Sequence, residues 1–252
     1  MSGVSYKKNI TYLFKHIKNI KMNIRLLLAI SLTIALSSLN NLHAQFYAGL
    51  SGGYTDNSLS ASTGYRSFTR YQPRGGFVLS VPIQYHFNDW FALGADLSYI
   101  QKNHRWERTG LLSGVYQNTT NSYLQLPLMA HFSFGGRSLR GFTNVGGYGG
   151  YLLRRNIEGT MLDIHMDDFY SYKEKFQFDK RRDNRFEVGV FCGLGIEYSL
   201  NKTSKFFMEA RYYYGLTDLQ KNYMNNQSPR YNNTIGFQLG CMFNISSLLK
   251  SN

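Results

Sequence analysis

Apolar and polar residues alternate with a period of two through most of the chain after residue 45. Segment 77–87 carries large apolar side chains at its odd positions and smaller or polar ones at most even positions. This is the period of a β-strand whose two faces meet different surroundings. The same alternation recurs in segments 91–99, 124–134, 186–198, 206–214 and 235–245. With the segment that starts at Gln45 and the glycine-rich run 141–153, whose faces the pattern does not assign, eight strands are predicted.

The connections between these strands alternate in length. Short turns are predicted near 88–90, 135–139 and 200–204, and long loops over about 55–73, 102–121, 154–184 and 217–231. An even number of amphipathic strands with alternating short and long connections is typical of outer-membrane barrels. The sequence therefore predicts an all-β fold, an eight-stranded antiparallel up-and-down transmembrane β-barrel. Both termini and the short turns would face the periplasm, with the long loops outside.

A soluble β-sandwich shows the same alternation and is the alternative fold. Its polar face would be solvated and charged, whereas the second face here is rich in glycine and poor in charge. Such a face suits the narrow interior of a small barrel. The apolar face also carries tyrosines near strand ends, as the interfacial girdles of membrane barrels do. These are Tyr85, Tyr99, Tyr198, Tyr212 and Tyr214.

The first 44 residues have the layout of a targeting segment. Arg25 precedes the apolar run Leu26–Leu39, and small residues end at Ala44. This predicts a signal peptide with cleavage after Ala44, since the run is shorter than the roughly 20 residues of a membrane-spanning helix. Residues 1–21 are either a basic leader or precede a true start at Met22. We expect residues 1–44 as leader, 45–246 as barrel and 247–252 as a short C-terminal tail.

The strongly basic charge of the chain comes largely from this leader. Removing residues 1–44 removes six basic and no acidic side chains, which lowers the formal net charge from +13 to +7. Nucleic acid is therefore not an expected partner. The two cysteines, Cys192 and Cys241, lie on the apolar faces of strands six and eight. With one strand between them they would be about 10 Å apart or more, so they are predicted to be free.

The sharpest polar cluster lies in the longest predicted loop, at Asp163, His165, Asp167 and Asp168. Alternating ligands on an extended loop could hold a divalent cation or form an acid–histidine pair, as in an outer-membrane protease. The surrounding segment mixes acidic and basic residues evenly, which favours a hydrated loop instead. We expect no catalytic residue, no metal site and no cofactor, and thus no enzyme. Nearby, the basic run 180–182 could meet lipopolysaccharide phosphates.

Several ionisable residues fall on the face predicted to line the barrel interior. His86 and His131 are expected near the short-turn ends as satisfied interior side chains. The acidic residues Asp96, Glu187, Glu197 and Glu209 share this face with Arg211. Since a buried charge is costly unless it is paired, we predict a structural network in which Arg211 holds several of these carboxylates.

Three stretches resemble one known family. They are the strand Tyr123–Leu128, the glycine-rich fifth strand and the strand that runs from Glu209 through Arg211 to Leu216. Together they resemble the PorT-like, porin-family outer-membrane β-barrels of Bacteroidota over residues 45–245, and the Ala44–Gln45 cleavage site is similar to that group. The resemblance implies a barrel far more than an activity, although the namesake is associated with type IX secretion and gliding.

A structural, surface-binding or secretion-accessory role is therefore expected. Because an eight-stranded interior is filled by side chains, the barrel is not expected to be an open pore. A small-solute porin is the alternative, and an enzyme that modifies lipid or peptide is a weaker one. The expected partners are outer-membrane lipids, including lipopolysaccharide, and proteins of a secretion or uptake complex.

Overall fold

The computed structural model describes residues 45–61, 68–163, 168–201, 203–221 and 229–246. They form antiparallel strands and a short 3₁₀ turn at Gly110–Leu112. The strands are β1 (Gln45–Ala61), β2 (Thr69–His86), β3 (Phe91–Gln101), β4 (Asn103–Arg108), β5 (Tyr116–Gly135), β6 (Leu139–Asp163), β7 (Asp168–Lys175), β8 (Phe186–Ser199), β9 (Ser204–Gly215) and β10 (Arg230–Asn244).

The strands close into one ring. β1 pairs with β2 on one side and with β10 on the other, and every further pairing joins antiparallel neighbours around to β9 and β10. β3 and β4 form a single wall strand that is interrupted at Lys102, because both pair with β2 and β5. β7 pairs only with β6 among the described strands, beyond the part of β6 that pairs with β8. The wall is thus an eight-stranded antiparallel barrel, as predicted, in which each described wall strand has a neighbour on both sides and only the added β7 has one.

The strands extend further than the sequence pattern predicts. β1 runs to Ala61, β2 starts at Thr69, and β6 reaches Asp163 to form a hairpin with β7. The long connections predicted at 55–73, 102–121 and 154–184 are therefore largely wall and hairpin. Both faces are polar there, so the period of two disappears from the sequence while the backbone ladder continues. We call the end of the barrel that carries these connections the long-connection end, and the opposite end, which carries the short turns, the short-turn end.

The two faces of the wall differ sharply in exposure. Leu239 is 62% exposed on the outer face, whereas its neighbour Gln238 is 1% exposed inside. The same contrast follows β2, β8, β9 and β10 along their lengths. A continuous apolar exterior of this kind needs an apolar solvent, which the hydrocarbon of a membrane supplies.

Aromatic rings gather on the outer wall at the short-turn end. The ring centroids of Phe87 and Phe91 are 5.6 Å apart, and those of Phe91 and Phe132 are 5.3 Å apart. Trp90 stacks on Phe132 at 6.3 Å. Such a cluster at the edge of an apolar band fits the aromatic girdle of a membrane barrel.

Glycines on the inner face make room for large interior side chains. A Cβ at Gly195 would overlap the ring of Phe142 and the backbone oxygen of Met208, and a Cβ at Gly240 would overlap the ring of Phe207. The glycine-rich β6 itself turns Phe142 and Tyr148 inward, where both are buried. A glycine on one strand therefore makes room for a large side chain from another strand, and these side chains fill the narrow interior.

The two cysteines follow the prediction. Cys192 on β8 and Cys241 on β10 are both free, with β9 between their strands. In the described part of the chain, no helix is long and apolar enough to cross a membrane.

Candidate functional site

The bore of the barrel holds charged side chains at successive depths, and the first group lies near the short-turn end. Lys205 on β9 donates to Glu197 on β8 at 3.0 Å and to Gln84 on β2 at 3.1 Å. Its Nζ also lies 3.3 Å from the Nε2 of His86. One lysine thus joins three strands of the wall, and both charges of the pair are buried.

Arg211 occupies the middle of the bore. Its Nε lies 2.7 Å from the Oε1 of Glu209, and its guanidinium also pairs with Asp96. Asp96 is on β3 and Arg211 on β9, which are opposite each other in the ring of eight. This pair therefore links the wall across its full width.

Lys102 and Glu187 close the bore toward the long-connection end. Lys102 is 0% and Glu187 2% exposed, and they form an ion pair. Glu187 also accepts hydrogen bonds from the hydroxyl of Tyr148 at 2.7 Å and from the amide of Asn232 at 2.6 Å. The Nζ of Lys102 lies 4.4 Å from the Tyr148 ring centroid, with two further tyrosine rings within 6 Å. All sides of this pair are thus occupied, which a buried ion pair requires.

The predicted charge residues are all buried in the bore, but they do not gather on Arg211. Arg211 holds Asp96 and Glu209, whereas Glu197 and Glu187 lie against lysines. Glu197 connects to Glu209 through a chain of hydrogen bonds formed by Ser133, His131 and Asn144. Glu187 belongs to the separate group around Lys102.

The sequence reasoning missed both lysines for a simple reason. Lys102 falls in a segment assigned to a loop, and Lys205 stands at the start of its strand. Burial alternates through Asp96, Ser98 and Ile100, and then Lys102, Asn103 and His104 are all buried. The period of two therefore ends at the lysine, before the residues of the cleft described below.

One arrangement in the bore has the order of a catalytic triad. His131 lies 2.8 Å from the hydroxyl of Ser133 through Nε2 and 2.8 Å from the Oδ1 of Asn144 through Nδ1. A nucleophile, a base and an orienting group are arranged in this way in many hydrolases. The void that His131 and Asn144 line has a volume of only about 10 Å³. That is barely room for one water molecule, so no substrate carbonyl fits in this void, and Ser133 itself is buried.

Above the Lys102–Glu187 pair a cleft of about 270 Å³ opens at the long-connection end. β4 supplies His104, Trp106 and Arg108, β6 supplies Arg155, and β10 supplies Arg230. We call this the basic cleft. Its remaining lining residues are Leu59, Thr69, Tyr71, Gln117, Thr119, Ile157, Phe176, Arg182, Leu219 and Gln220. Among the described residues no acidic side chain lines it, so positive charge dominates.

His104 forms the buried part of this cleft. It is 7% exposed, and its Nδ1 has no hydrogen-bond partner among the described residues. Burial, and then the charges of Arg155, Arg230 and Arg74, lower the pKa of His104 to about 3. The imidazole is therefore neutral at ordinary pH.

Of the acidic loop cluster predicted at Asp163, His165, Asp167 and Asp168, Asp163 ends β6 and Asp168 begins β7. Asp163 and Asp168 face each other in the ladder, and the Oδ1 of Asp168 accepts the backbone N–H of Phe169 at 2.7 Å. His165 and Asp167 lie outside the described residues. Within the described ranges, no group of three or more histidine, cysteine or acidic side chains is placed to hold a metal ion.

Comparisons with known proteins agree with this architecture. The family model of the outer membrane protein beta-barrel domain matches residues 36–221, so the chain belongs to that family. The outer membrane protease OmpT from Escherichia coli is similar at 9% identity and a TM-score of 0.50, over 82% of this chain and 100% of that one.

Two other solved structures are also similar to the chain. The Neisserial surface protein A has 12% identity and a TM-score of 0.43, over 81% of this chain and 100% of that one. The outer membrane protein W from Escherichia coli has 14% identity and a TM-score of 0.43, with the same coverage. Identities this low indicate a shared fold alone. The search of curated proteins returned no match.

We predict that Arg211→Leu destabilises the barrel, because it leaves Asp96 and Glu209 buried without their cation. Breaking a buried pair in this way costs about 3–5 kcal/mol. The urea midpoint of the refolded barrel should fall, and its heat-modifiable migration in gels should be lost. Arg154→Leu, at an exposed position on β6, is the matched control. An unchanged midpoint and unchanged migration for Arg211→Leu would contradict this prediction.

A second prediction concerns acid stability at His104. Its pKa is lowered on folding, so below the unfolded value of about 6.5 the unfolded chain binds a proton that the folded barrel does not. Stability is complete above pH 6.5 and declines as the pH falls toward 3. Between pH 7 and pH 5 the loss should be about 2 kcal/mol. Urea midpoints at both pH values should show this decline in the wild type and a shallower one in His104→Gln; equal declines would refute the assignment.

Proposed function

We propose that this protein is a non-conducting outer-membrane barrel that anchors a binding surface at its long-connection end. The observation that carries the proposal is the filled bore. The Lys102–Glu187 pair and its tyrosines close the upper part, and Arg211 with its carboxylates closes the middle. The interior of an eight-stranded barrel is just wide enough for side chains to fill, and it leaves no room for a channel next to them.

The orientation and export route are part of the proposal. A signal peptide ending at Ala44 would deliver the barrel to the periplasm, and the short turns with both termini would stay there. The long-connection end, with the β6–β7 hairpin and the basic cleft, would face outward. The sequence motifs around Tyr123–Leu128 and Glu209–Leu216 support membership of the PorT-like barrels of Bacteroidota.

The expected partners follow from this placement. Lys180 and Arg181 are exposed beside the long-connection end, where they would meet the phosphates of lipopolysaccharide. The hairpin presents exposed residues along β7, which suits a contact with a protein of a secretion or uptake complex.

The porin and enzyme alternatives receive less support. Solute would have to pass the fully buried Lys102, and catalysis at His131 would need space that the adjoining void of about 10 Å³ does not give. The acidic hairpin tip offers Asp163 and Asp168, with no described histidine beside them.

Planar-bilayer recording tests this function. The purified barrel should insert without producing single-channel steps, because the buried ion pairs of Lys102 with Glu187 and of Arg211 with Asp96 and Glu209 occupy the bore. A general porin reconstituted in the same lipid serves as the positive control. Reproducible conductance steps from the wild-type barrel would refute the proposal.

A further inference from the structure

The walls of the basic cleft bring three arginines from three different strands to one space. Arg108 lies on β4, Arg155 on β6 and Arg230 on β10. Arg108 donates to the hydroxyl of Thr69 at 2.9 Å, and Arg155 donates to the Oδ1 of Asn121 at 2.8 Å. Both contacts are to neutral groups, so they orient the guanidinium groups without forming an ion pair; Asp183, whose charge also acts on Arg155, is itself paired with Arg182.

The nearby carboxylates are engaged elsewhere. Asp183 pairs with Arg182 at 3.1 Å, and Glu158 pairs with Arg74 at 3.2 Å. Among the described residues, none of the three arginines that converge on the cleft forms an ion pair. Positive charges gathered in a partly enclosed space without acidic partners repel one another, and a bound anion relieves that repulsion.

Aromatic rings complete the cleft. Tyr71, Trp106 and Phe176 line it together with the arginines. The guanidinium of Arg155 lies 4.9 Å and that of Arg182 5.2 Å from the Phe176 ring centroid, so both cations lie beside one aromatic ring. Flat apolar faces beside planar cations suit a ligand that has an apolar face and a charged end.

We infer that the basic cleft binds a sugar phosphate or a closely similar small organic phosphate. Guanidinium groups match the geometry of phosphate oxygens and bind them through paired hydrogen bonds. The aromatic faces pack against the C–H face of a sugar ring, and the neutral, buried His104 adds no further positive charge to the lining. At about 270 Å³ the cleft holds about one sugar residue, since drug-sized ligands fill roughly 300–1,000 Å³.

Isothermal titration of the full-length barrel in detergent with glucose 1-phosphate tests this inference. Binding should be saturable and should weaken as sodium chloride is raised, because salt screens the charges. Glucose at the same concentrations should give no signal. Inorganic phosphate should bind more weakly than glucose 1-phosphate, and equal binding of the two would overturn the assignment of a sugar.

Two variants locate the site. Arg108→Gln and Arg230→Gln should each weaken binding of glucose 1-phosphate about tenfold, since each removes a charged hydrogen bond. Arg154→Gln removes the same charge from an exposed position outside the cleft and should bind as the wild type does. Heat-modifiable migration verifies that each variant is folded. Wild-type affinity in both cleft variants would overturn the inference.

A competition experiment distinguishes the two sources of such a phosphate, the membrane surface and solution. Purified lipopolysaccharide in mixed micelles should compete with glucose 1-phosphate if the occupant is a phosphorylated sugar of the membrane surface. Lack of competition, with glucose 1-phosphate still bound, assigns the cleft to a soluble sugar phosphate. Either result supports the inferred chemistry.

This inference deepens the proposed surface-binding function and rests on it, yet the two fail differently. If the bilayer recording shows no channel steps and the titration shows no heat of binding up to about 10 mM glucose 1-phosphate, the inference about the cleft is overturned. The proposal of a non-conducting barrel then still stands. Channel steps overturn the proposed function whether or not the ligand binds.

Discussion

Ion pairs across the bore are the interaction on which the rest of this structure depends. An eight-stranded ring that crosses a membrane encloses a space with little water, and any charge inside it must be paired. Arg211 meets this requirement by reaching Asp96 on the opposite strand, and Lys102 by reaching Glu187 three strands away in the ring. Because each pair joins distant strands, the bore is closed and the wall is cross-braced by the same contacts.

The closed bore separates the two ends of the molecule. At the short-turn end, Lys205 and Glu197 lie near the half-buried His86 and the buried His131, with a void of only about 10 Å³ beside them. At the other end the wall continues beyond the apolar band and surrounds the basic cleft. In the described part of the bore, space for a small molecule lies at the long-connection end. The apolar exterior and the paired interior together explain how a barrel can be stable in lipid, and the proposed binding site lies in the cleft at one end.

The period of two in the sequence was sufficient to predict the fold. It assigned the outward and inward faces of β2, β8, β9 and β10, because the outer surface must be apolar and the inner one small or polar. The free cysteines follow from the same reasoning. The family model and the structure agree with this part of the prediction.

The partners inside the bore could not be predicted in the same way. Which carboxylate meets Arg211 depends on the stagger of all eight strands, and no local pattern encodes the neighbour across the ring. Lys102 was missed because the wall strand is interrupted at that residue. The basic cleft could not be predicted because the strands around it are polar on both faces. Arg155 and Arg230 therefore fall in segments that the sequence pattern assigns to loops.

A double-mutant cycle on Lys102 and Glu187 tests the central claim most directly. Lys102→Met should lower the free energy of unfolding in urea by about 3 kcal/mol or more, because it leaves a buried carboxylate unpaired. Adding Glu187→Gln to Lys102→Met should restore much of that loss, since the carboxylate charge is then gone. A coupling energy near zero, with the two substitutions simply additive, would contradict the account of a barrel held together by ion pairs across its bore.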